Sequence, residues 1–262
     1  MNLDLLFLFS GCIAEAAVIG LLLYRRLWRA FPFFLAYNVW SLIGSAGGYA
    51  IFRGNSKLYL TAYIVVVVVD SVLLFGVLVE LGWSVLRPLR ASLPRSALAV
   101  VAGLILALGA AIWPFAAFPG AVHLSREMAA LMRMQQTFSI LRVLAFVALA
   151  AGSQLLSIGW RDRELQIATG LGFNSLVGLG VAMLHMHQTT RAQYSNWNEV
   201  VVASYLCSLL YWVVSFARKE AERREFTPQM RSFLLAVAGA AHTTRIALED
   251  SGKADVRKHD ER

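Results

Sequence analysis

Charge is scarce in this chain, and the scarcity sets its class. Of 262 residues, 15% are charged and 58% hydrophobic, with a mean hydropathy of +0.60. Soluble domains are roughly a quarter charged and about half apolar, so a soluble globular protein is excluded and a membrane protein indicated. Lysine is rarer still: Lys57, Lys219, Lys253 and Lys258 all lie outside the apolar stretches, which excludes a Schiff-base chromophore inside a helix bundle. The two cysteines, Cys12 and Cys207, read as small buried hydrophobes. Low-complexity tracts and internal repeats are missing, which argues against a transporter built from two related halves.

What is present is a series of long apolar runs. Stretches of about 20 residues, long enough to cross a hydrocarbon core as a helix, fall at 3–23, 33–52, 59–85, 97–113, 135–157, 165–186 and 199–217. The predicted fold class is therefore all-α: a seven-transmembrane helix bundle over residues 1–217. Basic residues resist translocation and set its orientation. The first, third and fifth connections and the stretch after the last helix hold twelve of them, from Arg25, Arg26 and Arg29 to Arg223 and Arg224; the opposite connections hold five. This predicts the N-terminus outside, the C-terminus in the cytoplasm and a multi-pass location in a bacterial inner membrane. The formal charge of +8 then faces anionic lipid headgroups and needs no nucleic acid. The start "MNLDLLFLF" carries Asp4 and lacks the basic residues of a signal peptide, so the first run is read as a retained helix.

Against this background the intramembrane charges stand out. "TAYIVVVVVDSVLLFGVLVELGW" sets Asp70 and Glu80 among valines and leucines. At 100° per residue Asp70 shares a stripe with Tyr59 and Tyr63. A charge at mid-bilayer costs at least about 2.5 kcal/mol on insertion scales, so Asp70 is expected to face the bundle interior and find a partner. The fifth run carries Arg142 in line with Gln135 and Ser139, and the first carries Glu15. Counted from the outer ends, Arg142 lies about 10 Å deep and the two acids about 16 to 18 Å deep, a difference that an arginine stem largely spans. The expectation is a buried polar cluster of Glu15, Tyr63, Asp70, Gln135 and Arg142. Asn38 and Glu80 mark a second, inner polar level.

Small and hydroxylated residues line other faces. Asn38, Ser41 and Ser45 align on the second helix, and Ser204, Ser208 and Tyr211 on the seventh; such stripes are chiefly interhelical glue. Gly170, Asn174 and Gly178 recur at spacing four on the sixth, which allows close backbone approach. The fourth run has no polar residue and is expected at the rim. His185 and His187, two apart, point to nearly opposite helix faces and make a poor metal pair, so neither a metal nor another cofactor is implied.

The tail "EFTPQMRSFLLAVAGAAHTTRIALED" opens with Thr227 as N-cap and Pro228 at the first helical position, then sets Met230, Phe233, Leu234, Val237, Ala241 and Leu248 on one face. Over 218–250 it is predicted to be a cytoplasmic amphipathic helix that meets the lipid bilayer surface or a protein partner. Residues 251–262 are polar and expected to be disordered.

"YRRLWRAFPFFLAYNVW", "LRVLAFVALAAGSQLLSIGWRDRELQIATGLGF" and "FTPQMRSFLLAVAGAA" resemble segments of a seven-helix integral membrane family of acidobacterial type. The resemblance spans most of the chain and implies the architecture, with no activity attached. Three functional classes stay open: a receptor-like or sensor membrane protein, a small solute or proton-coupled transporter, and a structural subunit of a membrane complex. No set of catalytic residues emerges, which makes an enzyme the less favoured reading.

Overall fold

A segment in hydrocarbon has no water to take up its backbone N–H and C=O groups and satisfies them within itself, which turns apolar runs into helices. The computed structural model describes residues 3–52, 56–85, 97–116, 126–152, 162–185 and 191–218. Among these the chain forms seven α-helices and no strand: α1 Leu3–Tyr24, α2 Pro32–Phe52, α3 Ser56–Val85, α4 Ala97–Ile112, α5 Arg126–Gly152, α6 Arg163–His185 and α7 Arg191–Ala217. Five stretches are long and apolar enough to cross a membrane: Phe7–Tyr24, Thr61–Val85, Ala129–Ala151, Arg163–Leu184 and Glu199–Ala217; Leu98–Ile112 is apolar but shorter. The tail expected to form an amphipathic helix lies outside the described residues.

The link between α1 and α2 shows how the chain reverses. Arg26 takes the left-handed conformation (φ 55°, ψ 23°) and its N–H bonds the Leu23 carbonyl at 3.0 Å, closing α1. One turn of 3-10 helix, Leu27–Arg29, follows, and α2 opens on Pro32. A proline at the first helical position has its φ already set, and the N–H it lacks would have had no partner in the helix.

Six helices close a ring in the order α1, α2, α3, α5, α6, α7, with α3 also touching α6 across it; among the described residues α4 packs chiefly on α3 and α5. α4 stands at the rim of the described helices, where Val100, Leu104 and Leu106 are each at least 60% exposed. The surface is inverted relative to a water-soluble protein. Large apolar side chains such as Ile13, Val72, Val147 and Leu176 point outward, while Glu15, Asn38, Glu164 and Gln166 are buried. That distribution suits an apolar surrounding.

Among the described residues a packed apolar cluster lies toward the end where α1 finishes. Leu22, Phe34, Val77, Leu165, Trp212 and Phe216 are buried in one cluster there. Phe34 sets its ring edge-on to Trp212 at 5.0 Å and to Phe216 at 6.1 Å, each such pair contributing about 0.5 to 1.5 kcal/mol beyond area burial. In lipid this matters more than transfer energy, because hydrocarbon tails are as apolar as leucine and close packing drives helix association.

Candidate functional site

At the end where α1 begins, α1 and α7 face each other across a pocket. Phe7, Leu8, Gly11, Cys12 and Glu15 recur every three or four residues on α1, and Glu199, Val202, Tyr205 and Leu206 do so on α7; with Ser45 of α2 they enclose about 340 Å³. At Gly11 a methyl would lie in ordinary contact with Leu206 Cδ2, at 3.8 Å.

Glu15 forms the floor. Only 1% of it is exposed, and its Oε1 accepts hydrogen bonds from Ser41 Oγ of α2 at 2.7 Å and from the Tyr205 hydroxyl of α7 at 2.5 Å. Those lengths are typical of hydroxyls donating to a carboxylate. The two hydroxyls are themselves 3.0 Å apart, so one oxygen ties three helices together. The other, Oε2, is buried with no hydrogen-bond partner. A buried carboxylate oxygen left open forfeits hydration without replacement, a cost of about 1 to 3 kcal/mol or more that a ligand donor would recover. Glu199, exposed, stands about 9 Å above Tyr205 along α7 and adds a second carboxylate near the mouth.

Beside this floor lies a second charged set. Asp70, half-buried on α3, has Arg142 of α5 as its charged neighbour. Arg142 Nη2 donates to Ser139 Oγ at 3.0 Å, so its charge acts on Asp70 across space. Tyr37 of α2, 6% exposed, lies within electrostatic reach of Asp70, Arg142 and Glu15 together and joins the two sets. Of the other expected members, Tyr63 is half-buried two turns before Asp70 on α3, and Gln135 is exposed on α5.

The inner polar level divides into structural contacts. Glu80 reaches from α3 to the first turn of α2, where Oε1 and Oε2 accept the backbone N–H groups of Phe33 and Phe34, each at 3.1 Å. A carboxylate there satisfies orphan donors and meets the positive end of the helix dipole. Asn38, fully buried, donates from Nδ2 to the Phe34 carbonyl at 2.7 Å. Sequence reasoning missed the neighbouring group at the start of α6. Asp162, Arg163, Glu164 and Gln166 are buried. Arg163 donates to the carbonyls of Ser215 and Arg218, both at 2.8 Å, and to Gln166 Oε1 at 2.9 Å. Its guanidinium also covers the Phe216 ring at 5.5 Å. Ser84 donates to Glu164 Oε1 at 2.7 Å, Trp212 Nε1 to the Gln166 carbonyl at 3.1 Å, and Arg25 to the Ala217 carbonyl at 2.6 Å. The end of α7 is thereby clamped. The signal in sequence is the density of hydrogen-bonding side chains in "RDRELQ" at a helix start, which also reads as an ordinary charged connection.

Cys12 and Cys207 are free thiols, the first lining the pocket and the second exposed on α7. Among the described residues no group of three or more histidine, cysteine or acidic side chains is arranged to hold a metal; the side chains of His185 and His187 lie outside the described ones. Fold and site together define a helical protein of membrane-like architecture with a polar pocket in one half of the bundle. No protein-family model, curated protein or solved structure matches the chain.

Proposed function

We propose that the protein is a receptor-like or sensor membrane protein. In this reading seven helices span an inner membrane, the N-terminus is outside, and the tail after α7 is cytoplasmic and engages the membrane surface or a partner. The observation that carries it is a pocket with a floor. The space between α1 and α7 ends on the Glu15, Ser41 and Tyr205 contacts. Beyond it the bundle is filled by Leu22, Phe34, Trp212 and Phe216. A site closed toward one side suits detection better than passage. α7 lines the pocket with Tyr205 and ends in the Arg163 clamp, so one rigid element joins the ligand site to the start of the tail.

The second reading, a small solute or proton-coupled carrier, is favoured by Tyr37 lying within electrostatic reach of Glu15, Asp70 and Arg142, with Arg142 also acting on Asp70. Flux assays in proteoliposomes separate the two. The sensor reading expects no accumulation of labelled solute or protons above empty vesicles, and co-purification of a stoichiometric cytoplasmic partner that is lost on deleting residues 226–248. Protein-dependent flux would replace it with the carrier. Reporters fused before Met1 and after Arg262 test the orientation: both on one side would refute seven spans.

A further inference from the structure

The pocket between α1, α2 and α7 has a charge character that names its ligand class. Its polar lining consists of the carboxylates of Glu15 and Glu199, the hydroxyls of Ser45 and Tyr205 and the thiol of Cys12; the remainder is Phe7, Leu8, Gly11, Val202 and Leu206. Among the described residues no basic side chain lines it. Glu15 Oε1 already accepts two hydroxyl donors, and Oε2, buried in the floor, has none. Tyr205 and Ser41 spend their protons on Glu15, so beneath the pocket lies a buried carboxylate with one oxygen unpaired. An anion or a carbonyl would meet repulsion there; an ammonium would complete the carboxylate.

We infer that this pocket binds a small organic ammonium ion, its charged head toward the Glu15 carboxylate and its apolar body against Phe7, Leu8, Val202 and Leu206. The volume of about 340 Å³ is at the lower end of the range for small-molecule sites, which suits a body the size of one ring or a short alkyl chain. Glu199 at the mouth raises the local concentration of cations before they reach the floor, since clefts lined by one sign of charge focus the field. The inference rests on reading this pocket as the ligand site of the sensor, and it supplies the chemistry of what is sensed.

Cys12, one turn before Glu15 on the same face of α1, is a built-in reporter. In full-length protein carrying Cys207→Ser it is the sole thiol. Its modification rate is measured in detergent with the cationic trimethylammonium-ethyl methanethiosulfonate and the anionic sulfonate-ethyl analogue, and their ratio is divided by the ratio for free mercaptoethanol. The corrected preference for the cation is expected to be at least about tenfold. Glu199→Gln should reduce it and Glu15→Gln should reduce it further. Phenethylammonium is expected to protect Cys12, whereas hydrocinnamate and ethylbenzene, of similar size, should not. A corrected ratio near unity, a Cys12 inert to both reagents, or equal protection by all three compounds overturns the inference. If Glu15→Gln fails to fold, the native ratio, the exposed Glu199→Gln variant and the protection series still decide. Protection by phenethylammonium without change in proteolysis of the tail would retain the site and sink the sensor reading; loss of cation preference with a responsive tail would do the reverse.

Discussion

The indole of Trp212 lies against the backbone of Gly170: a methyl group on that glycine would sit 2.4 Å from both Cε2 and Nε1 of the ring. Trp212 is 1% exposed, its Nε1 donates to the Gln166 carbonyl at 3.1 Å, and Phe34 meets it edge-on. A rigid ring held on three sides has nowhere to move. Gly170→Ala is therefore expected to lower stability by about 1 to 3 kcal/mol through overpacking. Gly178, two turns on, has nothing within 4 Å of its own position for a methyl. There the same substitution is expected to be neutral or stabilising by up to about 1 kcal/mol from helix propensity. Thermal unfolding in detergent compares the two; equal losses would refute the packing account.

This contrast shows how much of the fold was legible. The spacing-four stripe Gly170, Asn174, Gly178 marks a face for close approach, yet the structure uses its members differently. Gly170 receives an indole, Asn174 accepts a hydrogen bond from Ser204 at 2.9 Å, and Gly178 stays open. Helix positions were readable because hydrophobic length is a local signal. Glu15 and Asp70 were readable because an acid in an apolar run is conspicuous. Their surroundings were not. Tyr205 and Tyr37 sit in "VVASYLCSLL" and "PFFLAYNVW", where a tyrosine passes for packing, and only the closure of the ring, with α7 beside α1, brings Tyr205 onto Glu15. Arg163 was counted among connection charges because the carbonyls it clamps belong to a helix 52 residues away in sequence.

Glu80 tests the difference between a functional acid and a cap. Its two bonds to the first turn of α2 predict that Glu80→Ala costs about 1 to 2 kcal/mol, in the range of lost N-caps with a favourable charge. Glu80→Gln should retain the acceptor at Oε1 and lose less. Cation preference at Cys12 should be unchanged in both, since Glu80 belongs to the opposite half of the bundle. A change in that preference would place Glu80 in the ligand site.

The Arg163 clamp makes a prediction about the tail. Arg163→Ala removes donors to the Ser215 and Arg218 carbonyls and to Gln166, and hydrogen bonds involving a charged group contribute about 1.5 to 3 kcal/mol each when buried. The end of α7 should fray, and limited proteolysis after Ala217 should accelerate markedly. Arg163→Lys is expected to recover part of the protection, because a single ammonium does not reproduce a planar fork of donors. Arg25→Ala removes only the exposed bond to the Ala217 carbonyl and should change cleavage little. Equal acceleration in the Arg25 and Arg163 variants would show that burial of the clamp is irrelevant.

The pairing of Asp70 with Arg142 is open to a direct thermodynamic test. The two sit on α3 and α5, neighbours in the ring, and Arg142 is the charged group acting on Asp70. Removing one partner leaves the other charge inside the bundle without compensation, which in soluble proteins costs on the order of 3 to 5 kcal/mol. Arg142 is also held by Ser139 and Asp70 is only half-buried, so the single losses here should fall at or below the lower figure. Replacing both, as Asp70→Asn with Arg142→Gln, should cost less than the sum of the single substitutions, because neither change then strands a charge. The shortfall measures the coupling, expected between about 0.5 and 3 kcal/mol. Thermal stability of the native protein, the two single variants and the double variant closes the cycle. Strictly additive losses would mean that Asp70 and Arg142 are tolerated separately, each by its own surroundings, and that no charge pair exists between α3 and α5.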